Sequence, residues 1–214
     1  MAPLVSCTTA RVVDNLDPES TGRVKVAYFA MNRDSQVETW ARLSVPMAGD
    51  GRGFWFLPEV DDEVLLAFGR DEREAFVIGS LWNRIDPPPQ DAQVGDARKL
   101  LRSRNGLQLI FEDIEGSERV VIETPAGQRV TLSDGPGAVL VEDANGNRVA
   151  LEASGITITA AGKVDLAAAQ VNVNASVVRV EAGMSKFSGV VQCDTLIANS
   201  VVSSSYTPGA GNIR

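Results

Sequence analysis

Apolar and polar residues alternate with a period of two along most of this 214-residue chain, and no segment shows the 3.6-residue period of a helix. In Gly22-Arg23-Val24-Lys25-Val26-Ala27-Tyr28-Phe29, Val24, Val26 and Tyr28 fall on one face, and Lys25, Ala27 and Phe29 on the other. The run starts after the turn signal Asp17-Pro18-Glu19-Ser20-Thr21. Further strands are predicted at 39–45, 54–57, 63–68 and 75–81, separated by Gly, Asp and Pro clusters. Five strands in so short a span predict a small closed barrel of the OB type, because an open sheet would leave its edges unpaired.

Downstream the pattern changes character. Asn105-Gly106-Leu107-Gln108-Leu109, Ala126-Gly127-Gln128-Arg129-Val130-Thr131-Leu132 and Asn145-Gly146-Asn147-Arg148-Val149-Ala150-Leu151 recur every 19 to 21 residues, each a turn glycine followed by an alternating strand. Val120-Val121-Ile122 and Val139-Leu140-Val141 lie between them, so each period holds two strands. From Gly155 the apolar-x-apolar dyads Ile156/Ile158, Val164/Leu166, Val171/Val173 and Val178/Val180 recur every seven to eight residues. Thr157, Asp165, Asn172 and Arg179 between them point the other way.

Such strands carry one apolar face, and no helix exists to cover it. The cover must be further copies of the chain or further turns of it. A solitary β-helix needs roughly 20 or more residues per turn and a bulkier interior, whereas small uniform dyads suit three chains meeting on a threefold axis. The expectation is an intertwined, triple-stranded β-helix formed by a homotrimer, with those eight dyad residues as its core. About eleven strands stacked at ~4.8 Å make a shaft of roughly 50 Å.

Composition sharpens this division. Nine of the twelve aromatic residues, including Trp40, Trp55 and Trp82, precede residue 86, and the tryptophans read as barrel core. Pro87-Pro88-Pro89 marks the boundary as an extended spacer. The predicted organisation is a barrel over 1–86, a linker over 87–97, a β-helical shaft over 98–203 and an apex segment over 204–214. The chain has no histidine, which removes Ser-His-Asp and Cys-His nucleophile systems, imidazole bases and His-containing metal sites. A net charge of −8 without a basic run excludes nucleic acid as a standing partner. No signal peptide and no apolar run of spanning length is present, so assembly in the cytoplasm is expected. Cys7 and Cys193 read as unpaired thiols.

Several clusters resemble sites and are read as structure. Glu59, Asp61, Asp62 and Glu63 form a polar turn at the entry to a strand. Asp143-Ala144-Asn145-Gly146-Asn147 starts like a calcium loop but lacks the later glutamate and repeats the hairpin turn at Ala126-Gly127. Gly49-Asp50-Gly51-Arg52-Gly53 reads as a flexible loop and lacks the Lys-Ser/Thr of a phosphate cradle. Glu112, Asp113 and Glu115 are the carboxylates that a rival reading, a β-helical polysaccharide-binding or -degrading protein, would use. Neither a catalytic residue nor a cofactor is assigned.

Four blocks in order and spacing carry a resemblance: Thr21-Gly22-Arg23-Val24-Lys25-Val26, Trp40-Ala41-Arg42-Leu43, Phe56-Leu57-Pro58-Glu59-Val60-Asp61-Asp62-Glu63-Val64 with Leu65-Leu66-Ala67-Phe68, and Val77-Ile78-Gly79-Ser80-Leu81-Trp82-Asn83. The chain resembles the contractile-tail spikes, that is, the phage baseplate assembly protein V and VgrG-like central spikes. The resemblance implies a non-enzymatic trimeric needle that caps a tail tube and pierces a membrane. It also implies a separate trimeric hub protein and a place in a phage virion or phage-tail-like particle. Some short spikes of this kind end in a His-x-His iron site; without histidine, no metal is expected here. Tyr206, Pro208, Gly209, Gly211, Asn212 and Ile213 break the alternation and either fold into the apex or form the platform for a tip protein of the PAAR type.

Overall fold

The computed structural model describes residues 6–30, 35–69, 74–89, 97–135 and 138–205. Every regular element among them is a strand. The structure divides into two compact units, Met1–Val164 and Asp165–Arg214.

Five strands of the first unit close a barrel: β1 (Cys7–Asp14), β2 (Arg23–Phe29), β3 (Gln36–Leu43), β6 (Glu63–Phe68) and β7 (Ala75–Ser80), in the order β1-β2-β3-β7-β6. The ring is completed by the antiparallel β1–β6 pair and the parallel β3–β7 pair, so no edge is left open. Inward alternation buries Ala10 and Val12 of β1, Val24 and Val26 of β2, and Val64, Leu66 and Phe68 of β6. Tyr28 packs at the rim with its ring 5.2 Å from that of Phe68. The turn before β2 is organised by Asp17. Its carboxylate accepts from the Thr21 N–H at 2.7 Å and hydroxyl at 2.8 Å, and from the Arg23 guanidinium at 2.8 Å. The Arg23 hydrogen bond, aided by those from Thr21 and Glu19, holds the Asp17 carboxyl far below the usual carboxylate range.

Three barrel expectations need correction. Residues 54–57 form no strand: three consecutive aromatics, Phe54-Trp55-Phe56, have no period of two and leave the sheet exposed. The fifth strand is instead β1, whose Thr8, Thr9 and Arg11 dilute the apolar signal of Ala10 and Val12. The tryptophans are not core, since Trp55 and Trp82 are exposed and Trp40 is half-buried with the Arg23 guanidinium 5.6 Å from its ring. The glycine-rich loop is a short hairpin, β4 (Ala48–Gly49) against β5 (Arg52–Gly53).

Seven further strands form an antiparallel meander: β8 (Arg98–Arg102), β9 (Gln108–Glu112), β10 (Arg119–Glu123), β11 (Arg129–Ser133), β12 (Ala138–Glu142), β13 (Arg148–Glu152) and β14 (Gly155–Thr159). The predicted repeat is one hairpin turn used three times. Gly106, Gly127 and Gly146 have φ of 86°, 86° and 88°, the left-handed region that glycine occupies without strain. Opposite each glycine, the side chain of Ser103, Thr124 or Asp143 accepts the N–H four residues on, at 3.0, 3.2 and 2.9 Å. Hydrogen bonds from Asn147 and Asn145 lower the Asp143 carboxyl to about 2. The calcium-like pentapeptide is therefore a turn whose carboxylate is already engaged.

Candidate functional site: an uncovered aliphatic face

The register of the meander sorts its side chains. Leu101, Leu109, Ile122, Val130, Val141, Val149 and Ile158 face one another across all seven strands. Lys99, Phe111, Val120, Leu132, Val139, Leu151 and Ile156 form a second such row. Both rows lie on the same face, since they are offset by two residues on every strand. That face is aliphatic except for Phe111 and Lys99.

The opposite face carries charges along its margins, with Leu100, Ile110, Val121, Thr131, Leu140 and Ala150 in a row between them, of which Val121 and Ala150 are buried. Glu112, the one buried charged residue among those described, takes Arg119 on one side and Arg98 on the other, at 2.5 and 3.5 Å. The Glu112 hydrogen bond raises the Arg119 guanidinium. Glu123 pairs with Arg129 at 3.0 Å and Arg148 with Glu152 at 3.3 Å. Lys99 reaches Asp113. The glycosidase reading therefore meets a Glu112 locked between two arginines and an Asp113 paired with lysine. The acidic turn is likewise occupied: Asp62 accepts the Glu59 N–H at 2.8 Å, Arg11 pairs with Asp61, Arg104 with Glu59, and Asn83 donates to Glu63. Among the described residues no group of three or more potential metal ligands is found.

Ile156 and Ile158 lie on β14, at the end of the aliphatic face, and remain 70% and 61% exposed in the single chain. Val164, Leu166, Val171, Val173, Val178 and Val180 are also exposed, and residues 160–205 form no strand within one chain. These are the eight residues assigned to the trimer core. Ile158 faces Val149 and Ile156 faces Leu151 across the register, the other six lie on no strand, and all eight are exposed in the single chain. The six apex residues, Tyr206, Pro208, Gly209, Gly211, Asn212 and Ile213, lie outside the described residues. Sequence reasoning located the dyads but missed β8, which adds Leu101 to the face. Arg98-Lys99-Leu100-Leu101-Arg102 holds no clean alternation, so no signal marked it.

A closed five-stranded barrel followed by strands that cannot bury their own apolar face defines a class: a β-structural protein completed by its own copies. Comparison with known proteins agrees. Residues 8–82 match the type VI secretion system/phage-baseplate injector OB domain, and residues 119–179 match the phage baseplate V C-terminal trimerisation domain. The second match covers β10 to β14 and runs on through Val178. Together the two cover more than half of the chain, which belongs to the VgrG-like baseplate spike family. The chain is also 25% identical over 130 residues to the actin cross-linking toxin VgrG1 of Vibrio cholerae serotype O1. That match covers 56% of this chain and 12% of the relative, so the chain spans a small fraction of its length. The family supports a homotrimer and a place in a phage baseplate or tail-like particle.

Proposed function

We propose that three copies of this chain form the non-enzymatic central spike of a contractile injection machine, capping its tail tube and piercing a target membrane. The observation that carries the reading is the aliphatic face of the meander and the dyads that follow it. An apolar face of this extent, uncovered in one chain, is far larger than the scattered surface hydrophobics of a stable monomer. Covering it by threefold association turns each chain's liability into a shared core.

The mechanism is mechanical and requires no reacting residue. The barrel, over 1–86, docks on a separate trimeric hub at the tube end, and 87–97 link it to the shaft. Residues 98–203 form the shaft, whose cross-chain hydrogen bonds resist buckling because bending would break many at once. The segment 204–214 forms the apex or receives a PAAR-type tip protein, and contact with the target membrane is transient. Assembly takes place in the cytoplasm, into a phage virion, a tailocin or a related particle.

A shaft of interwoven chains unfolds slowly, because no chain leaves without breaking the contacts of all three. The unheated protein is expected to run on an SDS gel as a single band at trimer mass, converting to monomer on boiling. A monomer band without heating contradicts the interwoven shaft.

A further inference from the structure

Sheet register gathers several exposed apolar residues at one end of the barrel. Pairing of Arg23 with Arg42, Leu43 with Val77 and Val64 with Ser80 places the start of β2, the ends of β3 and β7 and the start of β6 there. The chain leaves β7 at that end toward Pro87-Pro88-Pro89 and the shaft. The meander begins beside it, since Arg104 of the β8–β9 turn pairs with Glu59 at 3.0 Å.

Two cavities of about 490 and 480 Å³ open at this end, and Trp55 and Gly22 line both. Trp55 stands between them 69% exposed, with its ring braced over Gly22: a Cβ at residue 22 would lie 3.2 Å from it. The φ of 80° at Gly22 also favours glycine. The result is a braced indole with an apolar slot on either side, one walled by Leu43, Met47 and Phe54, the other by Leu16, Pro18 and Leu57. Most polar side chains of the slots are spent. Asp17 holds Thr21 and Arg23, and Asn15 donates to the Pro58 carbonyl at 3.2 Å. Arg52 lines the first slot and makes no ion pair among the described residues. A fitting occupant is therefore apolar, brings no N–H groups in need of acceptors, and carries a negative charge at one end.

Pro87-Pro88-Pro89 meets all three requirements. It has no N–H donors, its extended conformation is set before docking, and aromatic-lined slots are the surfaces that take such segments. Asp86 directly precedes it and likewise makes no ion pair among the described residues. At ~3.1 Å per residue the first and third prolines lie about 6 Å apart, enough to reach both slots across one indole. In the single chain the segment is not in its own slots, since Pro87 and Pro88 are exposed and no residue of 84–89 lines either cavity.

We infer that Pro87-Pro88-Pro89 of one copy lies across Trp55 of a neighbouring copy, with Asp86 against the partner's Arg52, so that three proline segments clasp three barrels where the barrels meet the shaft. This rests on the trimer reading above and gives the exposed Trp55 its partner.

The test uses the full chain with both native thiols removed, Cys7→Ser and Cys193→Ser. It carries Ile85→Cys beside the proline segment, together with either Met47→Cys in the slot or Phe29→Cys, about 20 Å away along β2 at ~3.3 Å per residue. Light scattering gives the assembled mass, and a short bismaleimide then joins thiols that lie close. The inference predicts a trimer in which Ile85→Cys/Met47→Cys chains become covalent two- and three-chain species on a heated SDS gel. They should do so at least about tenfold faster than Ile85→Cys/Phe29→Cys chains. Adding Trp55→Ala should slow the linking about tenfold, as loss of an aromatic anchor does, and Trp55→Phe should restore most of the rate. A trimer that links only within single chains or fails to link overturns the clasp and leaves the trimer standing. So does one whose two thiol pairs link equally fast, or one indifferent to Trp55→Ala. A monomeric mass overturns both.

Discussion

Replacing Val171 and Val173 together by Asp should destroy the trimer and leave the barrel folded. The two positions form one dyad in the middle of the segment assigned to the shared core, and both are exposed in the single chain. In the trimer, two carboxylates per chain would crowd a dry axis opposite like charges. Each buried ion costs several kcal/mol before any mutual repulsion is counted. Protonation would lessen the cost, so partial recovery of trimer at acidic pH is expected. Replacing the intervening Asn172 by Asp puts the same charge on the outer side and should leave the mass unchanged. The barrel has its own buried cluster, drawn entirely from residues 10–77, so its hydrogen-exchange protection should survive in the double variant. A Val171→Asp/Val173→Asp chain that remains trimeric would show that these dyads do not line the interface.

The complementary expectation concerns Leu66→Ala. Leu66 has no solvent exposure and is the largest fully buried side chain of the barrel. Truncating it removes apolar contacts from a ring closed on all sides, where collapse around the void is limited. A loss of about 2–5 kcal/mol in barrel stability is expected. Denaturant unfolding followed by exchange at β1, β2 and β6 should show the barrel melting earlier, while light scattering still reports an unchanged number of chains. Parallel loss of barrel protection and of trimer mass would mean that the two parts fold as one cooperative unit. The pair of variants thus separates the stability of the barrel from that of the assembly.

Much of this was legible in the chain because the period-two signal is strong wherever one face is buried. Arg23–Phe29, Glu63–Phe68 and Ala75–Ser80 stand close to where alternation places them, and Val24 and Val26, which alternation puts on one face, are fully buried. The three glycine turns were legible because a left-handed residue needs glycine, and the spacing of those glycines counts strands directly. The failures have separate causes. Aromatic residues were read as core because they are large and apolar, yet Trp55 and Trp82 lie on the barrel surface, where area alone does not decide burial. β1 was missed because Thr8, Thr9 and Arg11 interrupt the apolar signal of Ala10 and Val12. The predicted dyads stop at Val180 because the spacing of the backbone bends shortens from seven residues to five beyond it, so a fixed period ceases to fit.

The carboxylates illustrate how local bonding disposes of apparent sites. Asp17, Asp62, Glu112 and Asp143 each sit in an arrangement a sequence reader would test for chemistry. Each is consumed by backbone amides, arginines or amide side chains of its own turn or of neighbouring strands. What remains uncommitted is apolar surface, which points to assembly.

The central claim is that three chains share one core, and native mass spectrometry of the purified full-length protein tests it most directly. The account predicts a dominant species at three chain masses that persists on dilution to nanomolar concentration. A dominant single-chain species at micromolar concentration would contradict it.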